Sequence, residues 1–252
     1  MKNMFRLLMA LWFTAALLVA CGGGSGTPDV NTAEGYWSGP ASKGFWDGRA
    51  DVYTVSLAVL ENGESWGISY SGSEIYGALN GTATGSGTTF STSGTNFNFW
   101  KGTAATGTFS GTVAAKSKID AVSNSGGTVS LAYNPDYDKS PSATNLAGNY
   151  TTTGQSNSTT FTAGNTTITS AGTFTLGDGA CTARGSLSPR TSGKNVYNFA
   201  LTFVGAPDCV FANGTMMVGI GFLDTTTTPF RLLAVGLKSD KSNGIVYLLT
   251  KQ

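Results

Sequence analysis

The chain contains no histidine. That removes Ser-His-Asp and Cys-His nucleophilic sites, histidine-ligated zinc or haem, and imidazole proton relays from the chemistry open to it. Charge is scarce as well: 12% of residues are Asp, Glu, Lys or Arg, and the formal net charge is +1. With Lys2 and Arg6 set aside, thirteen basic residues face fourteen acidic ones. So even a balance supplies no basic field for nucleic acid and no acidic face for a cationic partner. Cysteine occurs three times, at Cys21, Cys181 and Cys209, and no long uninterrupted apolar run follows residue 20.

The N-terminus carries the clearest positive signal. Lys2 and Arg6 precede an apolar run from Leu7 to Ala20, broken only by Thr14, that ends in Leu18-Val19-Ala20-Cys21. About fourteen residues fall short of a helix crossing a hydrocarbon core of roughly 30 Å, but suit the apolar segment of an export signal. The Leu-Val-Ala-Cys ending resembles the bacterial lipobox, which implies cleavage after Ala20 and diacylglycerol on Cys21. Residues 1–20 are thus expected to form a lipoprotein signal peptide. Residues 21–33, opening with Gly22-Gly23-Gly24-Ser25-Gly26-Thr27-Pro28, read as a flexible tether. Gly22 stands where an Asp would suggest inner-membrane retention, so the likeness to sorted lipoproteins points to the outer membrane. Cys181 and Cys209 then remain as a pair, and an oxidising compartment favours a disulfide between them. Closing that loop is worth about 3 kcal/mol by chain entropy.

The rest of the chain is rich in Gly, Ser, Thr and Asn, yet holds fourteen Phe, nine Tyr and five Trp, too much aromatic surface to leave in water. Apolar residues alternate with period two. Tyr53, Val55, Leu57 and Val59 share one strand face, and Trp66, Ile68 and Tyr70 follow the hairpin signal Asn62-Gly63, expected as a type I′ turn. Similar alternation runs through Val129–Tyr133, Tyr197–Phe203, Met216–Phe222, Leu233–Leu237 and Ile245–Leu249. No convincing helical period exists beyond the signal. Asn134-Pro135-Asp136-Tyr137-Asp138-Lys139-Ser140-Pro141 interrupts the pattern, since two prolines cannot continue a central strand. The expectation is an all-β body of two tandem units, 34–138 and 139–252. Short meander turns favour small antiparallel up-and-down, calycin-like barrels, with one continuous β-sandwich as the alternative.

The mature chain resembles a group of uncharacterised proteobacterial outer-membrane lipoproteins. The likeness rests on Gly35-Tyr36-Trp37-Ser38-Gly39, Glu61-Asn62-Gly63, Leu131-Ala132-Tyr133, Asp136-Tyr137-Asp138, Leu146-Ala147-Gly148, Gly179-Ala180-Cys181-Thr182, Asn195-Val196-Tyr197, and Cys209 before Asn213-Gly214. None of these is a catalytic signature. The resemblance implies location and architecture and brings no activity.

Chemistry without histidine would rest on carboxylates. Asp47 and Asp51 flank Arg49 beside Phe45-Trp46 and form the most suggestive pair for a glycosidase. A polar loop with Arg49 balancing both acids accounts for them more simply. Asn134, Asp136 and Asp138 have the alternate spacing of a calcium loop. Lys139 occupies the position of its glycine, however, and Asn145 that of its bidentate Glu, so a solvated linker is the expectation. No metal or cofactor is expected. Tyr36, Trp37, Phe45 and Trp46 are the candidate binding surface, with Trp66 and Trp100 as further members. Pointed outward they would stack on glycan or grip a protein; pointed inward they would fill a barrel. The leading expectation is therefore a non-catalytic envelope lipoprotein, held to the membrane by lipid on Cys21, whose β-body binds an envelope protein or glycan. The alternatives are a carrier of an apolar ligand inside a barrel and a carboxylate enzyme acting on polysaccharide.

Overall fold

In a computed structural model, the structure is described for residues 31–42, 53–156, 159–177, 181–205 and 209–252. The signal segment, Cys21, the tether up to residue 30, and Phe45, Trp46, Asp47 and Asp51 lie outside the described residues.

Two closed antiparallel barrels follow one another along the chain. The first contains β1 (Gly35–Ala41), β2 (Tyr53–Val59), β3 (Glu64–Ser71), β4 (Glu74–Ser86), β5 (Thr89–Asn98), β6 (Thr103–Ala114), β7 (Lys118–Ser123) and β8 (Thr128–Tyr133). The second contains β9 (Gly148–Ser156), β10 (Thr160–Ile168), β11 (Thr173–Gly177), β12 (Cys181–Pro189), β13 (Val196–Gly205), β14 (Met216–Asp224), β15 (Arg231–Leu237) and β16 (Gly244–Lys251). Each strand pairs with the next in order, and β1 with β8 and β9 with β16 close the circles. Closure leaves no edge strand to template aggregation. The two-unit expectation holds, and the continuous sandwich is not what the chain builds.

Hairpin chemistry explains the meander. At Asn62-Gly63 the amide of Gly63 donates to the Leu60 carbonyl (2.9 Å) and that of Leu60 to the Glu64 carbonyl (2.8 Å). Only Gly63 has positive φ, 81°. This is a three-residue loop, a type I turn closed by a left-handed glycine, rather than the expected type I′ turn. The same device recurs at Ser123–Gly127 through Gly126 and at Thr169–Thr173 through Gly172.

The two barrels also open alike. Gly35 (φ 154°) leads to Trp37, and Gly148 (φ 147°) leads to Tyr150. Both aromatics are fully buried, and each donates to the carbonyl four residues back: Trp37 to Ala33 (2.8 Å), Tyr150 to Leu146 (2.7 Å). A side chain on Gly35 would strike the Tyr133 ring 2.6 Å away, so the glycine there is obligatory.

Alternation sorts side chains between three cores. Trp37, Val55, Leu57, Leu79, Phe90, Phe109, Val113, Ile119 and Leu131 fill the first barrel. The second is packed with Tyr150, Phe174, Leu187, Tyr197, Phe199, Phe203, Met217 and Tyr247. The third core lies between the barrels, where Ala58, Trp66, Ile68, Tyr70, Phe97 and Phe99 meet Ile220, Phe222, Leu233, Val235, Leu237 and Val246. Strand β3 runs across its partners: Trp66 lies with Ile220 and Phe222, and Tyr70 with Leu233 and Leu248. The barrels are thereby joined into one body.

Candidate functional site

Residues at the ends of the connecting segment lock the interface, and they are the ones whose spacing resembled a calcium loop. The connector begins with a 3-10 turn, Pro135–Asp138, whose preceding residue Asn134 accepts the Asp136 amide on its side chain (2.9 Å). Asn134 also donates its own amide to the Tyr36 carbonyl (2.8 Å), tying the turn to β1. Asp136 is 1% exposed. Its carboxylate accepts from the backbone N–H (2.5 Å) and hydroxyl (2.7 Å) of Thr225 and pairs with Lys139. Asp138 accepts from Lys116 of the first barrel (2.8 Å), Lys194 of the second (2.8 Å), and the Tyr133 hydroxyl (2.8 Å). Asn195 completes the seal, donating its amide N–H to the Tyr137 carbonyl (3.0 Å) and its side chain to Leu223 (2.7 Å). Within the linker expected to be solvated, Asn134, Asp136 and Tyr137 are buried, because both barrels supply partners to their polar groups. Asp138, Lys139 and Ser140 stay exposed. These carboxylates have ammonium and hydroxyl donors where a calcium loop would have the ion.

Electrostatics follow from those partners. Burial opposes ionisation of Asp138, but the Lys116 and Lys194 ammonium groups and the Tyr133 hydroxyl outweigh it and hold the carboxyl well below the usual range. Asp136 is likewise lowered, burial again being outweighed, here by Lys139 and Thr225. Glu61 and Arg190 add an ion pair between the barrels (3.0 Å). Behind these contacts stands a charge division: residues 34–138 hold nine acidic and five basic residues, and 139–252 four acidic and eight basic.

The predicted aromatic surface divides. Tyr36 is 4% exposed and stacks on Phe222 at 3.5 Å with the rings 7° apart, inside the interface between barrels. Trp37 is fully buried in the first barrel against Tyr133, and Trp66 lies at the interface. Tyr36 and Trp37 therefore belong to no binding surface: adjacent strand residues point to opposite faces, and here both faces are covered. Trp100 is 48% exposed. Cys181 and Cys209 are disulfide-bonded, tying the start of β12 to the loop before β14.

Interior space is small where the first barrel is widest in apolar residues. The cavity among Val55, Leu57, Leu79, Phe90, Phe109, Val129 and Leu131 has a volume of about 30 Å³. A benzene-sized guest requires about 150 Å³, so this cavity offers an apolar cargo no room.

The upper part of the same barrel differs. Strand β3 turns Trp66, Ile68 and Tyr70 toward the other barrel, which sends Ser65, Gly67 and Ser69 inward. Asn96 also faces inward, since it pairs with the core residue Leu79 on one side and Ala105 on the other. Ala105 is exposed, as are its neighbours on β6, whereas Ser69 is 0% exposed. Around this end, Tyr53 and Tyr76 lie 5.0 Å apart, and Tyr76 and Trp100 stack at 6.2 Å. Sequence reasoning missed Ser69 and Asn96, because small polar residues carry no signal until the face they occupy is known.

No family model, curated protein or solved structure matches the chain.

Proposed function

We propose that the protein is a lipid-anchored lipoprotein of the bacterial envelope, tethered through Cys21 to the outer membrane, whose two-barrel body binds an envelope component without catalysing a reaction. The observation carrying this reading is the way the body spends its polar and apolar groups. The carboxylates of the connector are committed to ion pairs that hold the barrels together, and the cavity among Val55, Leu57, Leu79, Phe90 and Phe109 of the first barrel is about 30 Å³. A body so occupied meets other molecules through its outer surface. The anchor reading rests on Leu18-Val19-Ala20-Cys21 and on the glycine-rich stretch after it. Among the described residues no helix is long and apolar enough to cross a membrane, which agrees with attachment by lipid and says nothing of strands.

Incubating the purified full-length chain with panels of envelope glycans and peptides tests the non-catalytic part. The expected outcome is retention on an envelope component with no turnover. Reproducible hydrolysis that a single Asp or Glu substitution abolishes would contradict it.

A further inference from the structure

We propose that a cleft between the two barrels binds a small carboxylate with an apolar body, its head held by Arg231, Thr250 and Thr151 and its body laid against Leu233, Leu248 and Tyr70. This rests on the reading of the body as a non-catalytic binding module, and it gives that module a place and a ligand class.

The cleft lies where the β3–β4 hairpin of the first barrel meets β9, β15 and β16 of the second. Tyr70, Gly72 and Ser73 wall one side of it. Its volume is about 400 Å³. Small-molecule sites span about 300–1,000 Å³ and favour the junctions between domains. The cavity inside the first barrel is about 30 Å³ by comparison.

Two rows of side chains give the opposite wall its chemistry. Residues facing each other on paired strands point to the same side of the sheet. In one row Arg231 is beside Thr250, and Thr250 beside Thr151. In the other, two residues along each strand, Leu233 is beside Leu248, and Leu248 beside Thr153. Leu233 and Leu248 belong to the apolar layer between the barrels. A row of donors therefore borders an apolar row, and a ligand lying across both needs an acceptor head and an apolar body.

Arg231 decides what the head is. It is exposed, and no carboxylate pairs with it among the described residues, whereas Lys139, Arg190, Lys194 and Lys238 of the same half all sit in ion pairs. Asp224 is its cross-strand neighbour, but the Asp224 carboxylate accepts the Thr226 N–H (2.9 Å) and hydroxyl instead. Glu74, on the hairpin, accepts from the Tyr76 hydroxyl at 2.9 Å. Thr151 Oγ1 accepts from the Gln252 side chain (3.1 Å), which leaves the hydroxyl hydrogen free to donate. A planar guanidinium fork flanked by hydroxyls matches the two oxygens of a carboxylate. One positive charge beside Asp224 also balances a single negative charge better than the roughly −1.5 to −2 of a phosphate monoester.

The test uses the full-length chain in nanodiscs of zwitterionic lipid, with empty discs as the background for partition into lipid. Calorimetry follows titration with hexanoate, octanoate and 3-phenylpropanoate, with the matching alcohols, and with octyl phosphate. At least one carboxylate should bind saturably, one per chain, and about tenfold or more tighter than its alcohol, which lacks the charged hydrogen bonds. Arg231→Gln should erase that preference, weakening the carboxylate about tenfold and leaving the alcohol unchanged. Thr153→Phe fills the cleft beside Leu248 and should abolish binding of both. Melting temperatures equal to the parent's separate lost binding from lost folding. No saturable binding of any carboxylate overturns the proposal and makes the cleft a water-filled gap between two convex barrels. Equal binding of carboxylates and alcohols, parent-like binding by either variant, or tighter binding of octyl phosphate overturns it too. Retention of the chain on an envelope glycan or peptide, with no carboxylate bound, would strike this cleft and leave the binding-module reading standing. Chemical turnover of a bound carboxylate would contradict the non-catalytic reading and leave the cleft.

Discussion

Asp136 and Asp138 stand two residues apart and hold the molecule together in different ways. Asp136 is buried and braces a backbone N–H of the second barrel; Asp138 gathers one lysine from each barrel. Removing Asp136 leaves the Thr225 amide unmet and Lys139 unpaired, so Asp136→Ala should lower the free energy of unfolding by about 2–3 kcal/mol, measured by urea titration. Both carboxyls titrate lower in the folded chain than unfolded. Their contribution is therefore complete above the unfolded value of about 4 and is lost as pH falls toward the folded values. The stability gap between the parent and Asp138→Asn should be constant from pH 5 to 8 and shrink below pH ~4. Tyr36 offers the opposite case. Its hydroxyl is buried and makes no well-formed hydrogen bond, the Ser56 hydroxyl standing near it, while its ring stacks on Phe222. Tyr36→Phe should be neutral or stabilising by up to about 1 kcal/mol in the same titration, whereas a loss would show that the hydroxyl is used. The acidic spacing at Asn134, Asp136 and Asp138 was legible in the sequence. The cations were not, because Lys116 and Lys194 lie far from them along the chain and are brought there only by barrel closure.

At the scale of strands and turns, far more could be read. Period-two alternation located seven of the sixteen strands, and Asn62-Gly63 located a hairpin, because both are local properties of a pleated chain. Alternation cannot say which face looks inward. The sequence of β3 shows Trp66, Ile68 and Tyr70 on one side, and they prove to face the neighbouring barrel while serines and a glycine face the interior. A strand that buries both faces breaks the rule that the apolar side marks the core. The cysteine count foresaw the disulfide, since setting Cys21 aside leaves one possible pair. Replacing Cys181 and Cys209 together by Ala should cost about 3 kcal/mol of stability. A free-thiol assay on the unfolded, unreduced chain should find neither cysteine reactive.

For the whole molecule, the interface decides behaviour. An apolar layer, a bridging connector and opposite charge excesses in the two halves should make the barrels one unfolding unit. Counting charge by halves, split at Pro135–Pro141, would have revealed that complementarity; the total near zero concealed it. Val235→Asp puts a carboxylate into the third core and should split one thermal transition into two, seen by calorimetry. A single transition at a lower temperature would mean that the barrels depend on each other more deeply than through this layer. With no histidine in the chain, and with every shifted carboxyl moved down and every shifted tyrosine moved up among the described residues, the melting temperature should be flat between pH 5 and 8.

Everything proposed about what this body does depends on its being held at a membrane by Cys21. Metabolic labelling with radioactive palmitate in a bacterial host, followed by fractionation, tests that directly. The parent chain should carry label and sediment with membranes, and Cys21→Ser should lose the label and move to the soluble fraction. A parent chain without label, or a Cys21→Ser chain still bound to membranes, would contradict the account.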